Sequence, residues 1–339
     1  MDAVGRESGT ATPGLFGDLR VRMDPWQVEY GSELGADADG RETRETVVED
    51  VDVERSRWEP VFPKDAVLPP ALMFVDGVRR LEARIQIPHP NHGIVYGAFG
   101  SYAVGSVHVQ GGAASFREIR VGRVVATGSG VALPNVVPVM PAAEYRPIHA
   151  AETDADTPLR RVQQEMRQAE ETLARALAAE GTALVVADGP LTFEGGGRGH
   201  AVGYIKRLSQ WYVSGPEFLA ALPRGARTPL FEIHARQRFA RYAWFVRLAA
   251  PRVGDSPVSG IVRLEVSATD VDLARARALA DATTAALPRF APSAARDPRA
   301  PQNLAPIGAL ESRLRRAMGD PLLLRRHIET VVRREAGRG

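Results

Sequence analysis

Two aspartates end two similar stretches of this chain. Pro70-Ala71-Leu72-Met73-Phe74-Val75-Asp76-Gly77 and Thr182-Ala183-Leu184-Val185-Val186-Ala187-Asp188-Gly189 both run through apolar residues into Asp-Gly. A short apolar run bounded by turn formers reads as a buried strand. An ionised carboxylate at the end of such a strand is costly to bury unless it is paired or binds a metal. If the two strands lie side by side in one sheet, Asp76 and Asp188 meet, and such a pair suits metal-dependent phosphodiester cleavage. The competing reading is that Asp-Gly merely opens a turn after each strand. The recurrence, with a helix between the copies, favours the functional reading.

Two-ion cleavage needs several carboxylates converging on ions about 4 Å apart. The spacing predicts a helix over 158–180, with Thr157 as N-cap, Pro158 in the first helical position and Gly181 as the stop. Leu159, Val162, Met166, Ala169, Leu173, Ala176 and Leu177 recur at three- and four-residue steps, so one face packs on the sheet. At about 100° per residue Glu171 points into water, whereas Glu165 and Glu170 flank that stripe. The strand after the helix climbs at about 3.3 Å per residue and the helix runs back at about 1.5 Å per residue. The level of Asp188 then falls near Arg167, and Glu165, nearest that level, is the expected third ligand. A fourth acid stays open among Asp281, Asp297 and Glu311.

Other polar residues carry weaker signals. Lys206 follows the Asp188 strand by one hairpin length, and either neutralises a scissile phosphate or forms a structural salt bridge. Arg79 and Arg80, just past Asp76, are placed for phosphates. Trp211 and Tyr212 suit packing better than base stacking. Over 307–334 an arginine-rich, leucine-rich stretch is broken by Gly319-Asp320-Pro321, which predicts two short amphipathic helices, the second capped by Asp320. Arg315 and Arg316 on the outer strip of the first are candidate DNA contacts. The seven histidines show no metal spacing, and neither a Walker loop nor a Gly-x-Ser-x-Gly elbow is present.

The elements needed to hold these residues follow from the pattern. Strands are predicted near 79–87, 94–110 and 114–127 behind the first apolar run, as an antiparallel meander, with Gly97, Gly100 and Gly105 marking bulges or a bend. More strands are predicted near 200–206, 230–234, 242–249 and 260–267, then a helix over 270–287. A meander, a helix and a strand ending in aspartate is the order of an RNase H-like core. The expected fold is therefore α/β: an RNase H-like mixed sheet flanked by helices, with an acidic N-terminal extension.

Composition sets the bounds. The 339 residues, 44 % hydrophobic, suffice for a substantial core. Without cysteine there are no disulfides or thiolate metal sites, so any metal is held by carboxylate, imidazole or water. Residues 1–60 hold 15 Asp+Glu against 7 Arg, so the net charge of +2 hides an acidic, partly extended leader and a basic body. A basic body suits an anionic partner such as nucleic acid. Only Lys64 and Lys206 are lysine among 43 basic residues, a bias that draws some notice to each. With no apolar leader run and no membrane-length apolar stretch, the expected location is the cytoplasm.

These residues bring the chain close to one family. Phe74-Val75-Asp76-Gly77-Val78-Arg79, Val185-Val186-Ala187-Asp188-Gly189-Pro190-Leu191, Gly203-Tyr204-Ile205-Lys206, Val262-Arg263-Leu264-Glu265-Val266 and the tail from Pro301 to Glu311 resemble, in order, the NurA family of nucleases. The resemblance implies an RNase H-like domain over 61–335 and a manganese- or magnesium-dependent DNA nuclease that resects double-strand-break ends. It also implies a homodimer working with a HerA-type hexameric ATPase that translocates DNA. Asp76 and Asp188 match the family's metal-binding aspartates, with Glu165 the best match for its helix glutamate. One departure stands out: Ile307-Gly308 replaces a histidine that members often carry after the late Pro-x-x-Leu element. Three readings follow: a DNA end-processing nuclease; a catalytically weak or inactive RNase H-like subunit that binds DNA or the ATPase; and a related enzyme acting on RNA.

Overall fold

The computed structural model describes residues 14–25, 47–50, 52–55, 57–194, 200–208, 216–235, 238–293 and 295–337. Residues 26–30 of the acidic leader and the pair Trp211 and Tyr212 lie outside them. Two short strands from the acidic leader, β1 (Arg22–Met23) and β2 (Val47–Asp50), join a mixed sheet built on three long strands, β3 (Ala71–His89), β4 (Gly93–Gln110) and β5 (Ala113–Thr127). Next come β6 (Val137–Met140), β7 (Ala143–His149), helix α1 (Thr157–Glu180), β8 (Leu184–Asp188), β9 (Ala201–Ile205) and the short helix α2 (Pro216–Ala221). The rest of the chain supplies β10 (Phe231–Ala235), β11 (Arg238–Arg247), β12 (Ile261–Ser267) and helices α3 (Leu273–Ala286), α4 (Ala305–Ala317) and α5 (Pro321–Ala336).

The strands lie in the order β2-β10-β11-β12-β9-β8-β3-β4-β5-β7-β6, with β1 on β3. At the centre, β5-β4-β3 is the antiparallel meander and β3-β8-β9 is parallel, with α1 making the crossover into β8. This is the RNase H-like order. The parallel β8–β9 pair replaces the expected hairpin, since parallel neighbours need a connection of about a dozen residues or more rather than a tight turn.

Side chains alternate across the sheet. Leu72, Phe74 and Val78 of β3 pack with Leu279 of α3 and with Ile307, Leu310 and Leu314 of α4. Ala71, Met73 and Val75 pack with Met166, Leu173 and Leu177 of α1. The two helical layers thus cover opposite faces of the same strands.

The expected break after Asp76 does not occur. β3 runs unbroken for 19 residues, and Gly77 pairs with Val104 inside the ladder. The register instead slips at Glu82, between the Leu81–Gly100 and Ala83–Phe99 pairs, and again beside Gly105 on the β4–β5 side. Both slips fall beside glycines that mark bulges in the sequence. Asp156 rather than Thr157 precedes α1, and Gly181 ends it as expected. The tail forms two helices, and Asp320 caps α5 by accepting from the Leu323 N–H at 2.9 Å. Of the tail's apolar set, Leu322 and Leu323 stay exposed while Leu324 is buried, because the first turn of α5 turns only one of the three inward.

Candidate metal centre

β3 and β8 are parallel neighbours in the register Leu72–Leu184 to Val75–Ala187, so Asp76 and Asp188 follow at the same level on strands about 4.8 Å apart. Both share the alternation of Phe74 and Val186, which turns them towards α4. Across β4 the partner of Asp76 is Gly105. A β-carbon there would meet Ile119 at 2.7 Å and Leu314 at 3.1 Å. That missing side chain is what lets α4 settle close against the sheet beside Asp76. Glu311 lies on α4 between Leu310 and Leu314, and one carboxylate oxygen each from Asp76, Asp188 and Glu311 falls within 4.8 Å of the others.

After Asp188 the chain must leave the sheet. Gly189 does so at φ 105°, which side-chain-bearing residues rarely adopt, while its N–H donates to the Tyr204 carbonyl at 2.8 Å. The turn reading of Asp-Gly therefore holds at 188–189 and fails at 76–77.

The electrostatics of the cluster are poised for a cation. Asp76 is buried; its Oδ1 accepts from the Gly77 N–H at 2.8 Å, and its Oδ2 is buried with no hydrogen-bond partner among the described residues. Burial first, then the charge of Asp188, pushes its carboxyl well above the usual carboxylate range, with Glu170 and Glu311 adding to the rise and Lys206 opposing it. An orphaned buried oxygen among convergent carboxylates fits a hard divalent ion with oxygen ligands. Lys206 donates to Asp188 Oδ2 at 2.5 Å and to Asn303 Oδ1 at 3.0 Å. Burial alone would lower its ammonium pKa, but the charges of Asp188 and Asp76 outweigh burial and raise it.

A second layer holds Glu311. Arg299 donates to both of its oxygens, at 2.8 and 2.6 Å, and also to Asp297. Asp297 accepts from Asn303 Nδ2 at 2.8 Å, which closes the chain back to Lys206. The Tyr204 hydroxyl donates to the Gln302 carbonyl at 2.6 Å and ties this loop to β9. None of Arg299, Asn303 and Tyr204 is singled out for a site by sequence reasoning. For Asn303 and Tyr204 the signal lies in position alone, within the late Pro-Gln-Asn-Leu and Gly-Tyr-Ile-Lys elements, and Arg299, two residues ahead of the first, carries none.

Glu165 is not brought to this cluster. It pairs with Arg146 at 2.5 Å and Arg161 at 2.8 Å on the α1 side of the sheet, whereas Asp76 and Asp188 face the α4 side. The two α1 acids differ in position along the helix and in partners: two arginines hold Glu165, and it is Glu170, five residues on, whose charge reaches Asp76. Glu170 is the α1 acid that acts on Asp76: its Oε2 lies 3.3 Å from where a β-carbon on Gly77 would stand. Of the three candidates for a fourth acid, Glu311 joins the pair. Asp281 is taken by Arg227 at 2.7 Å, and Asp297 by Arg299 and Asn303. Arg79 donates to Gln163 on the α1 face, away from the cluster. Arg80 is on the α4 face, but it reaches the Gly319 carbonyl at 2.9 Å and Glu82 at 3.3 Å. Arg315 and Arg316 are exposed in the last turn of α4. Ile307, at the start of the pair that replaces the histidine, is fully buried, and a β-carbon on Gly308 would lie 3.2 Å from Asn303 and 3.3 Å from Asp297.

Among the described residues no helix is long and apolar enough to cross a membrane. No curated protein sequence matches the chain. The crystal structure of the NurA nuclease from Sulfolobus solfataricus is similar to it with a TM-score of 0.42 and 11 % identity, over 77 % of this chain and 84 % of that one. The NurA domain model matches residues 70–307, which include Asp76, Glu170, Asp188, Lys206, Arg299 and Asn303 and stop just short of Glu311. On that match over most of its length, the chain belongs to the NurA domain family.

Proposed function

We propose that this protein is a metal-dependent deoxyribonuclease that processes DNA ends. The observation that carries the reading is the convergence of Asp76, Asp188 and Glu311, with a buried Asp76 oxygen that has no partner among the described residues. Asp76, Asp188 and Glu311 would hold manganese or magnesium, with Glu170 completing the acidic set from the α1 side. A bound divalent ion supplies an activated water and polarises the phosphoryl group. The protein's own groups do the rest. Lys206 places a positive charge beside the carboxylates, where it meets the growing charge on a phosphate oxygen. Arg299 holds both oxygens of Glu311 and so keeps the side chain aimed. Arg315 and Arg316 draw the DNA backbone towards this face by displacing its counterions.

Family membership supports a role in double-strand-break end resection, as a homodimer acting with a HerA-type translocating ATPase. Residues 61–335 would form the nuclease domain, with 1–60 as its acidic N-terminal region. The alternative, a subunit that binds DNA or the ATPase without cutting, draws on Ile307 and Gly308, which leave no imidazole where the family resemblance implies that members often carry one. Degradation of linear duplex and single-stranded DNA with Mn2+ decides between them. Cleavage by the wild type that Asp188→Asn abolishes supports the nuclease. DNA binding without cleavage, alone and with the ATPase, supports the binding subunit.

A further inference from the structure

Each of two acids in the cluster carries its own base: Lys206 on Asp188 and Arg299 on Glu311. Among the described residues Asp76 has no such base. Lys206 is also held from behind, since Asn303, only 1 % exposed, accepts from the ammonium at 3.0 Å while donating to Asp297 at 2.8 Å. The amide is fixed by that second bond, so its oxygen is permanently presented to Lys206. Gly308 packs directly on Asn303 and Asp297, which leaves the amide little room to turn.

We propose that Lys206 is a resident counter-cation of the carboxylate cluster, and that Asn303 is the positioning residue which receives its ammonium when Asp188 turns to a divalent cation. This rests on the metal-dependent reading above. An ammonium 2.5 Å from Asp188 Oδ2 occupies space and charge that an ion on the same oxygen would need. A +1 charge within about 5 Å of a +2 ion opposes binding even at the dielectric of water. Without a second partner the ammonium would cling to Asp188. With Asn303 it can release Asp188 and remain within the site, pointing at the space a substrate phosphate would enter.

The test is Mn2+ binding to the full-length protein without DNA, followed by electron paramagnetic resonance of the free ion. Lys206→Met, which keeps length and removes charge, should tighten binding about tenfold. Asn303→Ala should weaken it about threefold in the wild-type background and leave it unchanged in the Lys206→Met background. A purely structural asparagine would weaken binding in both. Circular dichroism and melting curves check that each variant is folded, and Asn303→Ser serves in place of a variant that is not. Unchanged or weaker binding in Lys206→Met overturns the counter-cation, and equal losses from Asn303→Ala in both backgrounds overturn the role of Asn303. If the wild type binds no Mn2+ that Asp76→Asn removes, the metal reading itself fails and this inference with it.

Discussion

Asp76→Asn should make the metal-free protein more stable while making it blind to metal. In the absence of an ion, Asp76 and Asp188 present oxygens within 4.8 Å of each other, and Asp76 has a buried oxygen that no described residue bonds. At an effective dielectric of about 20, two unit charges at that distance repel by about 3.5 kcal/mol. Lys206 offsets part of this through Asp188, and protonation of Asp76 relieves more, so a net gain of about 1–2 kcal/mol is expected on neutralising the side chain at constant shape. For a chain of this size that is a rise of a few degrees in melting temperature. Wild-type protein should instead gain from Mn2+ by linkage, about 2.7 kcal/mol at an ion concentration a hundred times the dissociation constant, and the variant should gain nothing. Differential scanning calorimetry at pH 8, once with chelator and once with Mn2+, measures all four values. A variant that melts below the wild type in chelator would refute the repulsion argument. One that still responds to Mn2+ as the wild type does would remove Asp76 from the metal site.

Glu311→Gln should weaken Mn2+ binding at least tenfold, whereas Glu165→Gln should leave it within about twofold and act only on stability, through the orphaned Arg146 and Arg161; titration of both variants separates the α4 acid from the α1 acid. Reversing Arg315 and Arg316 to Glu should weaken DNA binding and reduce the slope of log K against log salt by about 2, at about 0.9 for each phosphate no longer neutralised, with the melting temperature nearly unchanged. Glu82 is buried, and burial outweighs its contacts with Ser101 and Arg80, so its folded pKa lies above 4.5. Its contribution to stability is complete below that value and is lost as pH rises through the folded pKa, so Glu82→Gln should flatten that part of a stability-versus-pH curve measured by urea unfolding. Glu54→Ala should cost about 3 kcal/mol, because it strips a buried two-pronged partner from Arg227 and leaves Asp281 alone to balance it; denaturant unfolding reads the loss.

The strand-and-helix order was legible because each element carries its own local signature. The tail helices, the Gly181 stop and the Asp320 cap are read from short-range chemistry, whereas a local signal of the same kind at Asp76-Gly77 is overridden by the ladder to β4. The Asp76–Asp188 meeting was legible only as a conditional, since nothing local says that β8 lies beside β3 rather than at an edge. The choice of Glu165 failed for a definite reason. Ala71 to Val75 is apolar on both faces, so the sequence does not mark which face α1 covers; helix rotation leaves Glu165 and Glu170 equally placed, their levels differ by only a few ångströms, and nothing local brings Glu311 from α4 to the other side of the sheet. The leader was less legible still. Its acidic composition hides Glu54, which accepts from Arg227 at 2.9 and 3.1 Å and from the Leu230 N–H at 2.6 Å in a buried pocket.

Glu311 illustrates how a site residue can be set by structure at a distance. Both ends of α4 are pinned by polar contacts to the sheet. At the C-terminal end Arg80 donates to the Gly319 carbonyl at 2.9 Å, and Arg123 to the Met318 carbonyl at 2.9 Å, which satisfies carbonyls that a helix end leaves open. At the N-terminal end the loop before the helix is tied by Tyr204 to Gln302 and by Lys206 to Asn303. Between these anchors Ile307, Leu310 and Leu314 are fully buried and fix the rotation of the helix. With both ends and the rotation fixed, the position of Glu311 has almost no freedom left. This gives Arg80, placed at first sight for phosphates, a different role: it sets the height of the acid that meets Asp76. Arg80→Ala should therefore loosen α4 and weaken Mn2+ binding through Glu311. An Arg80 that touched only DNA would leave the metal affinity of the free protein unchanged, and Mn2+ titration without DNA tells the two apart.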